Sequence, residues 1–386
     1  MSRTIVGLVS FMAAAGPQGA MFRLMRQLRL RGHNAEIWFL YEKSPCYRGQ
    51  EGVRVILPKA RLSLLDIPRL LFRLVRMLRA ERPDAVVGFL PLANVLGLAA
   101  AAACGVRLRI ASQRLPASTF GRLMRPLDRL LGVRGIYSRI VCVSESVKES
   151  FARYPLSYRE RLSVVHNGIE WLPSTLDKPE ARAGLGLPPQ WPLLVATGGL
   201  VPQKNYDLMV RVVATTPRVR LAIAGDGSLR PAIEQLARDL GAEERIHFLG
   251  RLEHGQVMDL LRAADGFIQT SFYEGQSNST LEAMHEGLPI ICSDIPMQRE
   301  TVCDENGEPT AILVPLSDFE GWRAAVLQLR DRSAVALEGG RAKALVLRRF
   351  GLARMIDGFE EATGKEENQW VLVPGHCAVE SADLTP

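Results

Sequence analysis

Leu193-Leu194-Val195-Ala196-Thr197-Gly198-Gly199-Leu200-Val201-Pro202-Gln203-Lys204-Asn205 decides the fold of this 386-residue chain. The first five residues are apolar or small, too few for a helix, and end on two glycines, which describes a strand buried on both faces. Residues 206–214 then resume with apolar positions at helical spacing, so the strand feeds a helix. Downstream the pattern repeats: 219–224, 246–249, 266–270, 289–293 and 311–314 read as strands, with helical segments such as 231–240 between them. Buried strands alternating with helices are βαβ units, and their sheet is parallel.

Working outward, the same alternation fills the first half. Residues 4–9 form a strand, 20–31 a helix stopped by Gly32, and 35–40 a second strand. Residues 64–78 are helical, and 85–90, 108–111, 140–144 and 164–166 are strands. A Pro-containing stretch near 171–189 separates the halves. The expectation is α/β, with two Rossmann-like domains facing across a cleft: 1–172, 173–345, a helix at 346–364, and a tail at 365–386 without periodicity.

Residues 85–106 carry no charge, but Pro91, Asn94 and the alanine content favour a buried strand and a core helix over a membrane span. The amino end shows no convincing signal peptide. The six cysteines have neither a paired ladder nor metal-site spacing, which argues against a disulfide scaffold and for reduced thiols in a cytoplasmic protein. Charge is divided: residues 1–173 carry a net +16 and the remainder −9. The basic half therefore favours an anionic partner. Residues 61–82 add an apolar stripe to Arg69, Arg73, Arg76 and Arg79, and 122–139 add Arg125, Arg129 and Arg134, which suits an anionic membrane surface. Nucleic acid is disfavoured, because no aromatic stacking platform or reading helix stands out.

The dinucleotide fingerprint is missing: Gly225-Asp226-Gly227 has Arg230 where a third glycine belongs. No H-E-x-x-H, G-x-S-x-G or Asp-x-Asp occurs, and no bound metal is expected. The strongest positive motif is Tyr273-Glu274-Gly275-Gln276-Ser277-Asn278-Ser279-Thr280-Leu281-Glu282, which follows a strand and opens a helix. With Asn278 or Ser279 as cap, the free N–H groups there form an anion site for a diphosphate. Glu274 at the loop rim and Glu282 in the first turn suit sugar and ribose hydroxyls; Ser279-x-x-Glu282 also fits a plain capping box. Lys204, beside a helix that Asn205 can cap, is a second phosphate contact or a solvated lysine. Asp226 lies in a turn after a strand, and Arg251 follows the strand end Phe248-Leu249-Gly250. Gly16 and Gly19 belong to the small-residue loop 13–19 after the first strand, where a ligand can approach the backbone. Ser144 reads as an N-cap and His166 as a structural histidine.

Taken in order, V-S-E-S, H-N-G-I, VPQKN, G-D-G, FLGR and Glu-x7-Glu make residues 4–364 resemble a family 4 retaining glycosyltransferase of the GT-B fold. The resemblance implies a nucleoside-diphosphate sugar donor as co-substrate, held by the second domain, and no cofactor. It implies a lipid-linked or saccharide acceptor on the first domain and a carboxyl-terminal helix, 352–362, crossing back to brace that domain. Glu274 and Lys204 would be catalytic; Glu282, Gly275, Ser277, Asn278, Ser279, Asp226, Arg251, Gly16 and Gly19 would bind the donor. Work in cell-surface polysaccharide or glycolipid assembly, at the inner face of the membrane, follows. A GT-B epimerase and a GT-B scaffold without turnover are the alternatives. Two positions depart from the family. Gly199 stands where it commonly has an arginine paired with the lysine on the diphosphate; Arg114, Arg251 and Arg299 are candidates to replace it. Gln113-Arg114 stands where members often have a histidine.

Overall fold

The computed structural model describes residues 2–13, 16–329 and 332–364; the tail at 365–386 lies outside them. Thirteen strands are described. The first sheet holds β1 (Thr4–Met12), β2 (Asn34–Glu42), β3 (Val53–Leu57), β4 (Ala85–Phe89), β5 (Leu108–Gln113), β6 (Arg139–Cys142) and β7 (Leu162–Val164), in the order β3-β2-β1-β4-β5-β6-β7. The second holds β8 (Leu193–Thr197), β9 (Arg220–Ala224), β10 (Ile246–Gly250), β11 (Gly266–Gln269), β12 (Ile290–Ser293) and β13 (Ile312–Val314), in the order β10-β9-β8-β11-β12-β13. Neighbouring strands are parallel in both, from the β1–β2 register Thr4↔Asn34 to the β12–β13 register Ile291↔Ile312. Each is a Rossmann-like sheet, as the alternation predicts.

Strand alternation explains the layering. Ile5 and Val9 of β1 enter the core on one face, and Val6 and Leu8 enter the core on the other. Likewise Leu193 and Val195 of β8 point away from Leu194 and Ala196. Helices cover both faces, so near-continuous apolar strands are required. The strand order reverses direction at β1 and at β8, and open α/β sheets bind ligands beyond the carboxyl ends of strands at such switch points.

The helix Leu352–Gly364 belongs spatially to the first domain. Met355, Ile356, Phe359 and Ala362 join the core under β1 and β4, and Phe359 meets Phe89 at a ring separation of 6.1 Å. Three local features differ from the sequence reading. β3 was not legible there: Val53–Leu57, between Gly52 and Pro58, has its short apolar run broken by Arg54. β1 runs to Met12, and the next helix starts at Gly16, so the loop at 13–19 is a helix for most of its length. Residues 64–81 divide into a 3-10 turn, Leu64–Asp66, and a helix, Ile67–Glu81, that buries only Leu70, Leu74 and Leu78.

Candidate active site in the interdomain cleft

β11 ends on Gln269, a polar residue 4% exposed, and that one side chain organises the loop that follows. Its Oε1 accepts from Ser277 Oγ at 2.9 Å, Thr280 Oγ1 at 2.5 Å and Gln298 Nε2 at 3.0 Å. Its Nε2 donates to Glu274 Oε1 at 2.7 Å. A buried amide satisfied on both ends leaves the loop one arrangement. Glu274 is consequently buried, not at the rim. Ser271 Oγ and Lys204 Nζ each donate to its Oε1 at 2.7 Å, and Gln203 Nε2 reaches its Oε2 at 3.3 Å. Four donors hold the carboxylate, and Lys204 pairs with it directly. Sequence reasoning missed Gln269, Ser271 and Gln203; the signal for the first was a glutamine ending an otherwise apolar strand.

The helix Asn278–Glu286 is capped by Ser277, whose Oγ accepts from Thr280 N at 3.3 Å. This corrects the expectation of Asn278 or Ser279 as cap. The Ser279–Glu282 capping box does not form, because Ser279 lies inside the helix and donates to the Thr197 carbonyl at 3.0 Å. Glu282 is therefore in the second turn, not the first. Burial pushes its carboxyl up to about 7, opposed by the positive charge of Arg23 from the other domain.

Lys204 closes the short 3-10 turn Pro202–Lys204. Asn205 follows in the left-handed region at φ 51° and makes no side-chain cap, contrary to expectation. The Gly225-Asp226-Gly227 turn packs directly on the Gly198–Leu200 loop. A Cβ at Gly225 would strike the Gly198 carbonyl, and one at Gly227 would strike Leu200. Leu200 N donates to the Asp226 carbonyl at 3.1 Å, and the Asp226 carboxylate is taken by Gly227 N at 2.8 Å. Asp226 thus shapes the Gly198–Leu200 loop. Arg251 follows Gly250 (φ 67°) and is exposed.

The first domain closes against this loop. A Cβ at Gly275 would collide with the Arg114 carbonyl. Ser144 Oγ, besides capping its own helix, donates to the Gly275 carbonyl at 2.9 Å. Asn167 N donates to Gln276 Oε1 at 2.6 Å. Asn278 Nδ2 reaches the Gly16 carbonyl at 3.4 Å. Gly16 and Gly19 are placed in helix Gly16–Leu30 rather than a loop, with Gly16 nearest the site. His166 is more than a structural histidine of its own domain: its Nε2 lies 2.8 Å from Glu300 Oε1, and Glu300 also accepts from Glu145 N at 2.6 Å and Ser146 N at 2.8 Å. These donors hold the Glu300 carboxyl down near 2 despite burial.

Of the candidates for the missing arginine, Arg299 is bonded to Asp294 at 2.7 Å on the surface. Arg114 bonds Asn167 and lies over the Phe89 ring at 4.8 Å, its guanidinium pushed down to about 9 by burial. Neither is available in this arrangement. Sequence reasoning overlooked Arg23, which faces Glu282 from helix Gly16–Leu30.

Residues 177–334 match the family Glycosyl transferases group 1, and residues 15–168 match Glycosyl transferase 4-like domain. Among curated relatives, a D-inositol 3-phosphate glycosyltransferase of Mycolicibacterium smegmatis is 30% identical over 207 residues, 52% of this chain and 46% of that protein. The lipopolysaccharide core biosynthesis glycosyltransferase LpsE of Rhizobium meliloti is 31% identical over 149 residues, 38% of this chain and 42% of that protein. The chain thus matches less than half the length of these two relatives. In fold, the structure of Anabaena Alr3699/HepE with UDP-glucose aligns over 93% of this chain and 98% of that one, with a TM-score of 0.80 at 20% identity. Two family matches that together span both domains, on two facing parallel α/β sheets, place this chain in the GT-B group 1 glycosyltransferase family.

Proposed function

We propose that this chain transfers a sugar from a nucleoside-diphosphate sugar to an acceptor hydroxyl, with retention of the anomeric configuration. The observation that carries the proposal is the Glu274–Lys204 pair, at 2.7 Å, beside a helix N-terminus at the second domain's switch point. Lys204 and the free N–H groups of that helix attract the donor's diphosphate. Glu274 contacts sugar hydroxyls and sets the anomeric carbon; Glu282 takes the ribose hydroxyls. In the transfer, the bond from the anomeric carbon to the phosphate oxygen breaks as the acceptor oxygen bonds to that carbon on the same face. The acceptor's proton passes to the departing diphosphate. Charge developing on the leaving oxygen is met by Lys204 and the helix, the main electrostatic task in this chemistry. On this logic the cation and the helix dipole do the work a metal would do. The HepE structure with UDP-glucose supports a donor of this class. Gly199, lacking the second cation, is what favours the scaffold alternative, and turnover decides between them.

For the acceptor we propose a lipid-linked or saccharide hydroxyl met at an anionic membrane surface. Leu64 (86% exposed), Leu65 (91%) and Phe72 (69%) protrude beside Arg61, Arg69 and Arg76. Arg73 is partly committed, donating to the Ile56 carbonyl at 3.0 Å. A hollow of about 560 Å³ lined by Arg125, Arg129, Leu130 and Arg153 adds cations on the same domain. Among the described residues no helix is long and apolar enough to cross a membrane. The relative named for lipopolysaccharide core biosynthesis supports a glycolipid setting in cell-surface polysaccharide or glycolipid assembly.

The deciding experiment pairs a thermal-shift screen of UDP, GDP and ADP with turnover of the corresponding sugar donors. A diphosphate at 100 times its Kd adds about 2.7 kcal/mol of stability. No shift with any of the three removes the donor reading; a shift without turnover leaves the scaffold. Co-sedimentation with anionic but not neutral vesicles tests the surface, and no binding to anionic vesicles at low salt removes it.

A further inference from the structure

Arg23 is anomalous for a helix residue. Its Nε and Nη2 atoms are sealed from solvent and have no hydrogen-bond partner. Burial opposes its charge, and Glu282 and Glu170 offset that only at a distance. Guanidinium nitrogens sealed from water without bonded partners are costly, so such atoms are usually found paired. Glu282, opposite, is in the matching state: the residue is partly buried, and no hydrogen bond offsets the burial of its carboxyl. Cation and carboxylate face each other across the cleft without forming an ion pair or a hydrogen bond, so each still has its bonding capacity to offer.

The surroundings point to what would bond to both. On a helix, residues 16, 19 and 23 share a face, and a side chain leans toward the helix N-terminus. Arg23 therefore lies back over Gly19, where a Cβ would come within 3.6 Å of its Nη1, toward Gly16. Gly16 meets Asn278 at the amino end of the Glu282 helix. Asn278 Oδ1, Gln276 Nε2 and Thr197 Oγ1 are likewise buried without partners. The unbonded polar atoms thus gather between the Gly16 helix, the end of β8 and the N-terminus of the Asn278 helix. A ligand that fits must accept from a guanidinium and donate to a carboxylate, as the phosphates and the ribose hydroxyls of a nucleoside diphosphate do. The charge balance agrees. Lys204 shares its charge with Glu274, so Lys204 and a helix end worth roughly half a charge do not by themselves balance a departing diphosphate.

We infer that Arg23 is a phosphate-binding residue of the donor site, contributed across the cleft by the first domain, and that it supplies the cation missing at Gly199. The inference rests on the donor reading above. It also makes donor binding a clamp, with Arg23 and Glu282 on the two sides of one ligand.

The test uses UDP, ADP and GDP against the matching nucleosides, by calorimetry on the full chain. Arg23→Met keeps the unbranched stem and removes the charge. It should weaken the bound diphosphate about tenfold to a hundredfold while changing nucleoside affinity little. Arg23→Lys should recover part of the loss. Gly199→Arg in the Arg23→Met background should recover it too, because position 199 is open: the nearest atoms to a Cβ there are 3.7 and 3.9 Å away. Equal losses for diphosphate and nucleoside, or no loss, overturn the inference, as does a diphosphate-selective loss in Lys204→Ala that Arg23→Met fails to show. No diphosphate binding by the wild-type chain overturns it together with the donor reading.

Discussion

Replacing Glu282 by glutamine should stabilise the ligand-free protein, by an amount that grows as pH rises from about 4.5 to about 7 and levels off above it. The carboxyl is raised to about 7 from an ordinary 4.5, so the folded state holds its proton more tightly than the unfolded chain does. Between these values the native state binds more protons, and stability falls as pH rises through the window. A neutral glutamine does not pass through that loss. Integrating the full shift gives about 0.8 kcal/mol at pH 5 and about 3 kcal/mol at pH 8 in favour of the variant. Solvent reaches part of this side chain, and screening reduces the shift, so the expected gain at pH 8 is about 1–2 kcal/mol. Urea unfolding followed by tryptophan fluorescence measures it, since Trp322 is buried in the second domain. Donor binding should move the opposite way. Ribose hydroxyls donate best to the ionised carboxylate, so wild-type affinity for a nucleoside diphosphate rises with pH through 7, and the variant binds weakly at every pH. A variant less stable than wild type at pH 8, or equally shifted at pH 5 and pH 8, would refute the placement of Glu282 as a strained, partnerless carboxylate.

Glu274→Gln should lower turnover by about 10²–10³, roughly 3–4 kcal/mol, while diphosphate affinity changes far less; a near wild-type kcat sinks its role at the sugar. Lys204→Ala should weaken nucleoside diphosphates much more than nucleosides, and equal losses would make it structural. Gly275→Ala places a Cβ on the Arg114 carbonyl, so the domains must part there; small-angle scattering should report a more open molecule with turnover down at least tenfold, and unchanged scattering with full turnover would exclude the contact.

Much of the architecture was legible because parallel sheets covered on both faces require continuous apolar strands. β8 was read from its own sequence to the residue, and Gly198-Gly199 marked its end. β3 was not, since a five-residue strand carrying Arg54 at the sheet edge has too little pattern to separate from loop. The site was legible where one segment holds it, as in Glu274 through Glu282. Its supports were not. Gln269 acts by satisfying groups up to 29 positions away, and Gln298 is the most distant of them. Arg23 looks in sequence like any polar residue of an amphipathic helix; only the folded chain brings it opposite Glu282 of the second domain. Ser277 took the cap in place of Asn278 or Ser279 because Gln269 fixes its hydroxyl, a contact with no local signature.

The division of charge, +16 in the first half and −9 in the second, favours an anionic partner for the first half. The structure gives part of it an internal use. Arg26 meets Glu170 at 2.9 Å, His166 meets Glu300 at 2.8 Å, and Arg23 faces Glu282. On the returning helix, Asp357 and Glu360 bind Arg31 at 2.7 and 2.5 Å, and Glu360 lies 3.3 Å from His33. In the His166–Glu300, Arg23–Glu282, Arg31–Asp357, Arg31–Glu360 and His33–Glu360 pairs the cation comes from the first domain and the acid from the segment that follows it, while Arg26–Glu170 ties the first domain to its own last residues. Exposed pairs of this kind contribute little singly, but a consistent sign across the whole boundary draws the domains together and orients them. On the proposed function, a dianionic donor entering the cleft would sit between cations presented by the first domain and Lys204 of the second. Its arrival would strengthen the same attraction between the domains, and loss of the diphosphate would weaken it. Charge asymmetry, the family's two-domain layout and the split donor site are on this view one physical arrangement.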